Sequence, residues 1–147
     1  MAIARTVDRR LFFVLDRVHS RLAQRADIVL AQGASKVSRS QALVLVFLGY
    51  NDNCRMSDLA DGTGRNNAAI SGLIERMEEA GLVERKPSYG DRRVKTVQLT
   101  TEGWSRREAV MNDFRDFNTH LVKGMTETEI DAVFKFLKLA AENNLSL

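Results

Sequence analysis

Residues 57–103 read in order as helix, turn, helix and hairpin, and that order constrains the chain more than any other feature. Ser57 precedes the segment Asp58-Leu59-Ala60-Asp61, and serine is a good helix N-cap. Gly62-Thr63-Gly64 then breaks the helix, because glycine supports tight turns. Asn66 caps a second helix that runs to about Ala80, with Gly81 as its left-handed terminator.

At about 100° per residue, Ile70, Leu73, Ile74 and Met77 share one face of the second helix and pack inward. The opposite face carries Ala68, Ser71, Gly72, Glu75 and Glu79, with Arg76 to one side. Its first half is small and polar, suited to close approach. Its second half is acidic and is repelled by phosphates. The expectation is that only the first two turns enter a DNA major groove, with Arg65 and Asn67 at the mouth. An ordinary solvated helix face gives the same pattern, so the helix alone does not decide.

The hairpin decides more. Leu82-Val83-Glu84-Arg85 and Val94 to Leu99 are rich in β-formers and partly alternating. Between them, Pro87-Ser88-Tyr89-Gly90-Asp91-Arg92-Arg93 is turn chemistry with a basic exit. Arginine at a hairpin tip suits a narrow, negative minor groove. Tyr89, Asp91, Arg92, Arg93 and Lys95 are the candidate contacts there. A local Asp–Arg pair on a solvated turn is worth only about 0–1 kcal/mol, so stability hardly explains them.

Taken together, Ser57-Asp58-Leu59-Ala60, Gly81-Leu82-Val83-Glu84-Arg85, Asp91-Arg92-Arg93, Leu99-Thr100 and Gly103 resemble the MarR family of winged-helix transcription regulators. Each piece is short; their order and spacing over 47 residues carry the specificity. The resemblance implies a homodimer on a pseudo-palindromic operator. It implies that Arg93 enters the minor groove while Asp91 holds it in place. It also implies regulation by a small molecule, or by oxidation in some members. Thr63 and Arg65 depart from the apolar residues more usual around the turn. Gly72, mid-helix, costs roughly 1 kcal/mol relative to alanine.

The fold class expected is mainly α with a small β hairpin. Residues 1–147 form a single domain, with a winged helix-turn-helix region at 34–100 and dimerisation helices at 1–33 and 101–147. A hydrophobic content of 44% and a charged content of 28% are ordinary for a globular protein. Net charge is only +3. Residues 1–50 hold eight Lys/Arg against three Asp/Glu, whereas residues 51–104 hold eight against nine. The segment assigned to DNA is therefore not basic overall, and binding depends on where its arginines point.

Outside that segment, Leu11, Leu15, Val18 and Leu22 mark a helix from Asp8 to about Ala31, with Gly33 past its end. Ser38 and Gln41 form a capping box for the next helix, through Val44, Phe47 and Leu48. Asn51-Asp52-Asn53 is a turn, and Cys54-Arg55-Met56 a short strand beside the hairpin. Thr100 caps a long helix to about Lys123, ended by Gly124. Thr126 and Glu129 box the last helix, which carries Ile130, Val133, Phe134 and Leu137.

The terminal helices carry more apolar surface than a small winged core needs. Leu11, Phe13, Phe134 and Leu137 are therefore candidates for an intersubunit seam. Two recognition helices one DNA turn apart, about 34 Å, read a two-fold operator. The resemblance implies that a small organic effector binds between the dimer helices and the winged region, where the candidates are Phe12, Leu15, Arg17, His19, Phe47, Tyr50, Met111 and Phe114. Arg17 or His19 would meet a carboxylate.

Cys54, beside Arg55, invites a thiolate reading, but a structural cysteine is preferred. Peroxide-sensing members of the resembled family usually keep theirs near the first helix. One cysteine forms no internal disulfide, and no apolar run approaches the roughly 20 residues that span a membrane, so a cytoplasmic location is expected.

No cofactor or metal is expected. His19 and His120 lack metal-ligand spacing, and no nucleophile elbow, phosphate loop or metalloprotease motif is present, so the chain is not read as an enzyme. The competing function is a winged-helix protein-interaction module without DNA binding, which would more often expose an apolar patch where this chain has small residues and arginines.

Overall fold

Local sequence signals set most element boundaries in the computed structural model, which describes residues 10–88 and 93–144. The first helix, α1, spans Leu11–Gln32. Only its C-terminal half packs inward, through Ala26 and Leu30. Ser38 and Gln41 exchange the two bonds of a capping box and start α2, Arg39–Tyr50. It buries Ala42, Val44, Leu45 and Leu48, while Leu43 stays exposed. The turn at 51–53 follows, with Asn53 left-handed at φ 58°.

Strand β1 is only Cys54–Arg55, and Met56 already belongs to α3, Met56–Thr63. The expected Ser57 cap is therefore corrected. Arg55 holds the N-cap position, and the Asp58 carboxylate accepts its amide N–H at 3.3 Å. Ser57 falls in the first turn because the β1 pairing ends at Arg55 and the helix starts at Met56. Gly62 and Thr63 stay helical, and Gly64 alone makes the left-handed exit at φ 64°. Helix α4, Asn67–Glu79, is capped by Asn66, whose Oδ1 accepts the Ala69 N–H at 2.8 Å.

Strands β2, Val83–Pro87, and β3, Lys95–Leu99, pair antiparallel with Arg85 opposite Val97. Strand β1 adds to the other side of β3, giving the order β1-β3-β2. Pro87 is tolerated because β2 is an edge strand. Behind the sheet, Leu30, Leu45, Leu48, Leu59, Ile70, Ile74, Met77, Val83, Val97 and Val110 make one core.

Thr100 caps α5 as expected, its Oγ accepting the Gly103 N–H at 3.0 Å. The long helix to Lys123 is corrected. Helix α5 ends at Asp113, and a separate α6, Arg115–Leu121, follows. No glycine or proline marks the break. Asp113 turns its carboxylate onto the amides of Ala34 and Ser35, and Phe114 packs against the core. Tertiary contacts thus override a continuous helical pattern. Gly124, at φ 87°, precedes the Thr126–Glu129 capping box and α7, Glu127–Asn144.

The chain divides into two compact units, residues 1–114 and 115–147. Helices α1 to α5 and the sheet form the first; α6 and α7 form the second. Among the described residues, no helix is long and apolar enough to cross a membrane.

Candidate nucleic-acid interface

Helix α4 is anchored from behind. Ile70, Ile74 and Met77 are wholly buried and Leu73 nearly so, as their spacing requires. That leaves Asn67, Ala68, Ser71, Glu75 and Arg76 exposed, with Gly72 half-buried. The space beside Gly72 is open, and a Cβ there would meet only Arg76 Nη1, at 3.6 Å.

The turn between α3 and α4 is well tied. The Gly64 and Arg65 amides reach back to Asp61 and Ala60, and Thr63 Oγ1 donates to Leu59 O at 2.7 Å. Thr63 thus supports the turn as an apolar residue would not. Arg65 is half-buried and gives Nη2 to Ser40 Oγ on α2 at 2.7 Å. The structure ties Arg65 to α2 and leaves Asn67 open at the helix mouth.

The wing rises from β2 and β3. The Ser88 N–H donates to Val94 O at 2.8 Å and closes its loop. Arg93 and Lys95 are exposed where β3 begins. Tyr89, Asp91 and Arg92 lie outside the described residues, and with them the expected Asp91–Arg93 pairing. On the strands, Glu84 accepts from Gln98 Nε2 at 2.6 Å and from Lys86 Nζ at 3.0 Å. These two hydrogen bonds hold its carboxyl below the usual range.

Arg85 was not foreseen as a site residue. From β2 it reaches α4, with Nη2 3.4 Å from the Ser71 carbonyl oxygen and 3.9 Å from Glu75, and Nη1 3.8 Å from Glu78. The sequence shows an arginine in a strand seven residues beyond Glu78. The contact becomes visible only when β2 folds back along the helix.

The expected effector residues are scattered. Phe12, Leu15, Arg17 and His19 lie on the exposed N-terminal half of α1. Phe47 and Phe114 pack against the core, and Met111 is exposed on α5. A crevice of about 270 Å³ on α1 is lined by Arg10, Phe13, Val14 and Arg17, so it includes only Arg17 from that set. Tyr50 instead meets Arg107, whose guanidinium lies 5.1 Å from its ring and 5.7 Å from that of Trp104. This cation–π cluster was also missed; its signal is Gly49, where a side chain would collide with Arg107.

The apolar residues expected at a seam are exposed in both units: Leu11 and Phe13 on α1, Phe134 and Leu137 on α7. Cys54 packs against the core and pairs with Val97. Burial, then the Asp58 carboxylate, push its thiol up, against the thiolate reading. Among the described residues no cluster of three metal-ligating side chains occurs.

Residues 35–94 match the family model described as "MarR family". The HTH-type transcriptional repressor IacR of Pseudomonas putida is 29% identical over 132 residues, covering 90% of this chain and 78% of that protein. CouR of Rhodococcus jostii RHA1, solved with p-coumaroyl-CoA bound, superposes with a TM-score of 0.81 at 23% identity, over 90% of this chain and 92% of its own. MepR of S. aureus, solved in a DNA complex, gives 0.74 at 24%, over 89% and 95%. The architecture described above is shared with both solved proteins.

Proposed function

We propose that this chain, similar over residues 35–94 to the MarR family, is a winged-helix transcription regulator of that type and binds a pseudo-palindromic DNA operator as a homodimer. The first two turns of α4 enter the major groove, and the β2–β3 wing reaches the minor groove. The observation that carries this reading is the division of α4. One face is locked into the core by four apolar residues, and the other presents Asn67, Ala68 and Ser71 to solvent at the helix start. Small polar side chains on a rigid helix suit base edges. Arg93 and Lys95 supply positive charge where the wing begins. A protein-docking module would need a large apolar patch on this face, and the start of α4 offers the small Ala68 and Ala69 amid polar residues instead.

Exposed apolar side chains support the dimer. Phe13 is 69% exposed and Phe134 68%, which costs solvation unless a second copy covers them. The reading is of a cytoplasmic regulator rather than an enzyme. A small organic effector acts through the first unit, at the residues of α1, α2 and α5 named above. The DNA-bound MepR and the ligand-bound CouR, which share the fold, are consistent with both partners.

The test is a gel-shift titration with DNA from the gene's own upstream region, random competitor and two salt concentrations. Binding that resists competitor and weakens with salt is expected. No binding at either salt would reverse the assignment in favour of protein docking.

A further inference from the structure

The C-terminal half of α4 presents an electrostatic problem to a DNA-binding helix. Glu75, Glu78 and Glu79 crowd its last two turns, and Arg76 is the only basic residue there. Carboxylates are unfavourable at a helix C-terminus and are repelled by phosphates. Glu75 lies one turn from Ser71, on the stripe that the proposed function brings to the bases.

Arg85 meets this problem from the wing. Its side chain is 22% exposed, against 63% for Glu75 and 40% for Glu78, so the cation is the most enclosed of the three. Its two terminal nitrogens divide between the carboxylates, and Nη2 also reaches the Ser71 carbonyl. Its backbone N–H donates to Glu78 Oε1 at 3.1 Å, so main chain and side chain both grip the helix. Exposed ion pairs of this length contribute little to stability. Beside a polyanion their value changes, because an uncompensated carboxylate would face the phosphate field directly.

We propose that Arg85 is a positioning residue for DNA binding. From the wing strand it neutralises Glu75 and Glu78 of the recognition helix, removes their repulsion of the phosphates and fixes the wing against the helix. This rests on the DNA-binding function proposed above.

The experiment is a set of variants: Arg85→Gln, Arg85→Lys, Glu75→Gln with Glu78→Gln, and all three Gln substitutions together. Each is titrated against the upstream duplex and a random duplex at low and moderate salt, with its melting temperature measured alongside. Gln keeps the Glu78 oxygen that accepts from Arg85, so the carboxylate charges are removed without deleting that bond. Arg85→Gln is expected to weaken both duplexes about tenfold, most at low salt, where exposed charges are least screened. Arg85→Lys retains the charge and stays within about threefold of wild type. The paired Glu→Gln variant binds at least as tightly as wild type, and adding Arg85→Gln to it costs little.

An equal loss from Arg85→Gln in both backgrounds overturns the proposal, because Arg85 would then contact phosphate itself. A lowered melting temperature with unchanged affinity also overturns it, as a purely structural role. Should Arg85→Gln fail to fold, the paired Glu→Gln variant decides: weaker binding means the carboxylates contact bases and the idea is wrong. Wild-type protein that binds neither duplex overturns the DNA-binding function, and this inference with it.

Discussion

The carbonyl oxygen of Leu82 occupies the position that a Cβ on Gly103 would take. The obstacle is backbone, held in place from both sides. Gly81 turns at φ 71°, Thr100 N–H donates to Leu82 O at 3.2 Å, and Thr100 Oγ donates to Gly81 O at 2.6 Å. The end of α4 is thereby fastened to the start of α5. Gly103→Ala should destabilise the fold by about 1–3 kcal/mol through overpacking. Urea denaturation with an unchanged slope and a lower midpoint would show it.

Gly72 predicts the opposite sign. It sits mid-helix with open space, so a methyl group meets no obstruction. Gly72→Ala should stabilise α4 by about 0.5–1 kcal/mol, since alanine loses less backbone entropy. The same methyl is added to the DNA-facing side, so operator affinity should fall as melting temperature rises. An affinity that rises with stability would take Gly72 off the DNA surface.

How much of this was legible depended on whether the cause was local. The buried face of α4 could be read because a 3.6-residue period places Ile70, Ile74 and Met77 together whatever surrounds them. The caps at Ser38, Asn66 and Thr100 could be read for the same reason: donor and acceptor are three residues apart. The end of α5 could not, because Asp113 reaches amides 78 and 79 residues away in sequence. Nor could the bond from Arg65 to Ser40, 25 residues earlier, because its partner lies on another helix. Arg85 was hidden in the same way, a strand residue whose partners lie on the preceding helix.

Asp113 makes a pH prediction. Burial pushes its carboxyl up, but the hydrogen bonds from Ser35 and Ala34, with Lys36 nearby, outweigh this and hold it below its ordinary value of 3.8. A carboxyl depressed in the folded state stabilises fully above the unfolded value, and that stability is lost as pH falls through the folded one. Wild type should therefore exceed Asp113→Asn in stability at pH 6, with the gap closing below about pH 4. Arg106 Nη1 donates to Ser35 O at 2.9 Å from the same helix, so the junction does not depend on Asp113 alone. Parallel melting curves for the two proteins across pH 3–7 would check it; a gap constant with pH would assign the loss to packing.

Major-groove and minor-groove contacts should separate in the binding data. Asn67 and Ser71 are exposed at the start of a helix whose other face is locked, and the proposed function assigns them to base contacts. Replacing either with alanine should shift base preference by about 1–3 kcal/mol per lost contact, leaving random-sequence binding nearly unchanged. Arg93, exposed at the foot of the wing, should act differently. Arg93→Ala should weaken binding most at sites with narrow minor grooves, where the potential is most negative, and lower the salt dependence. Selection of preferred sequences from a random pool by each variant distinguishes the two. A uniform loss for all three, with no change of preferred sequence, would show that α4 contacts only the backbone.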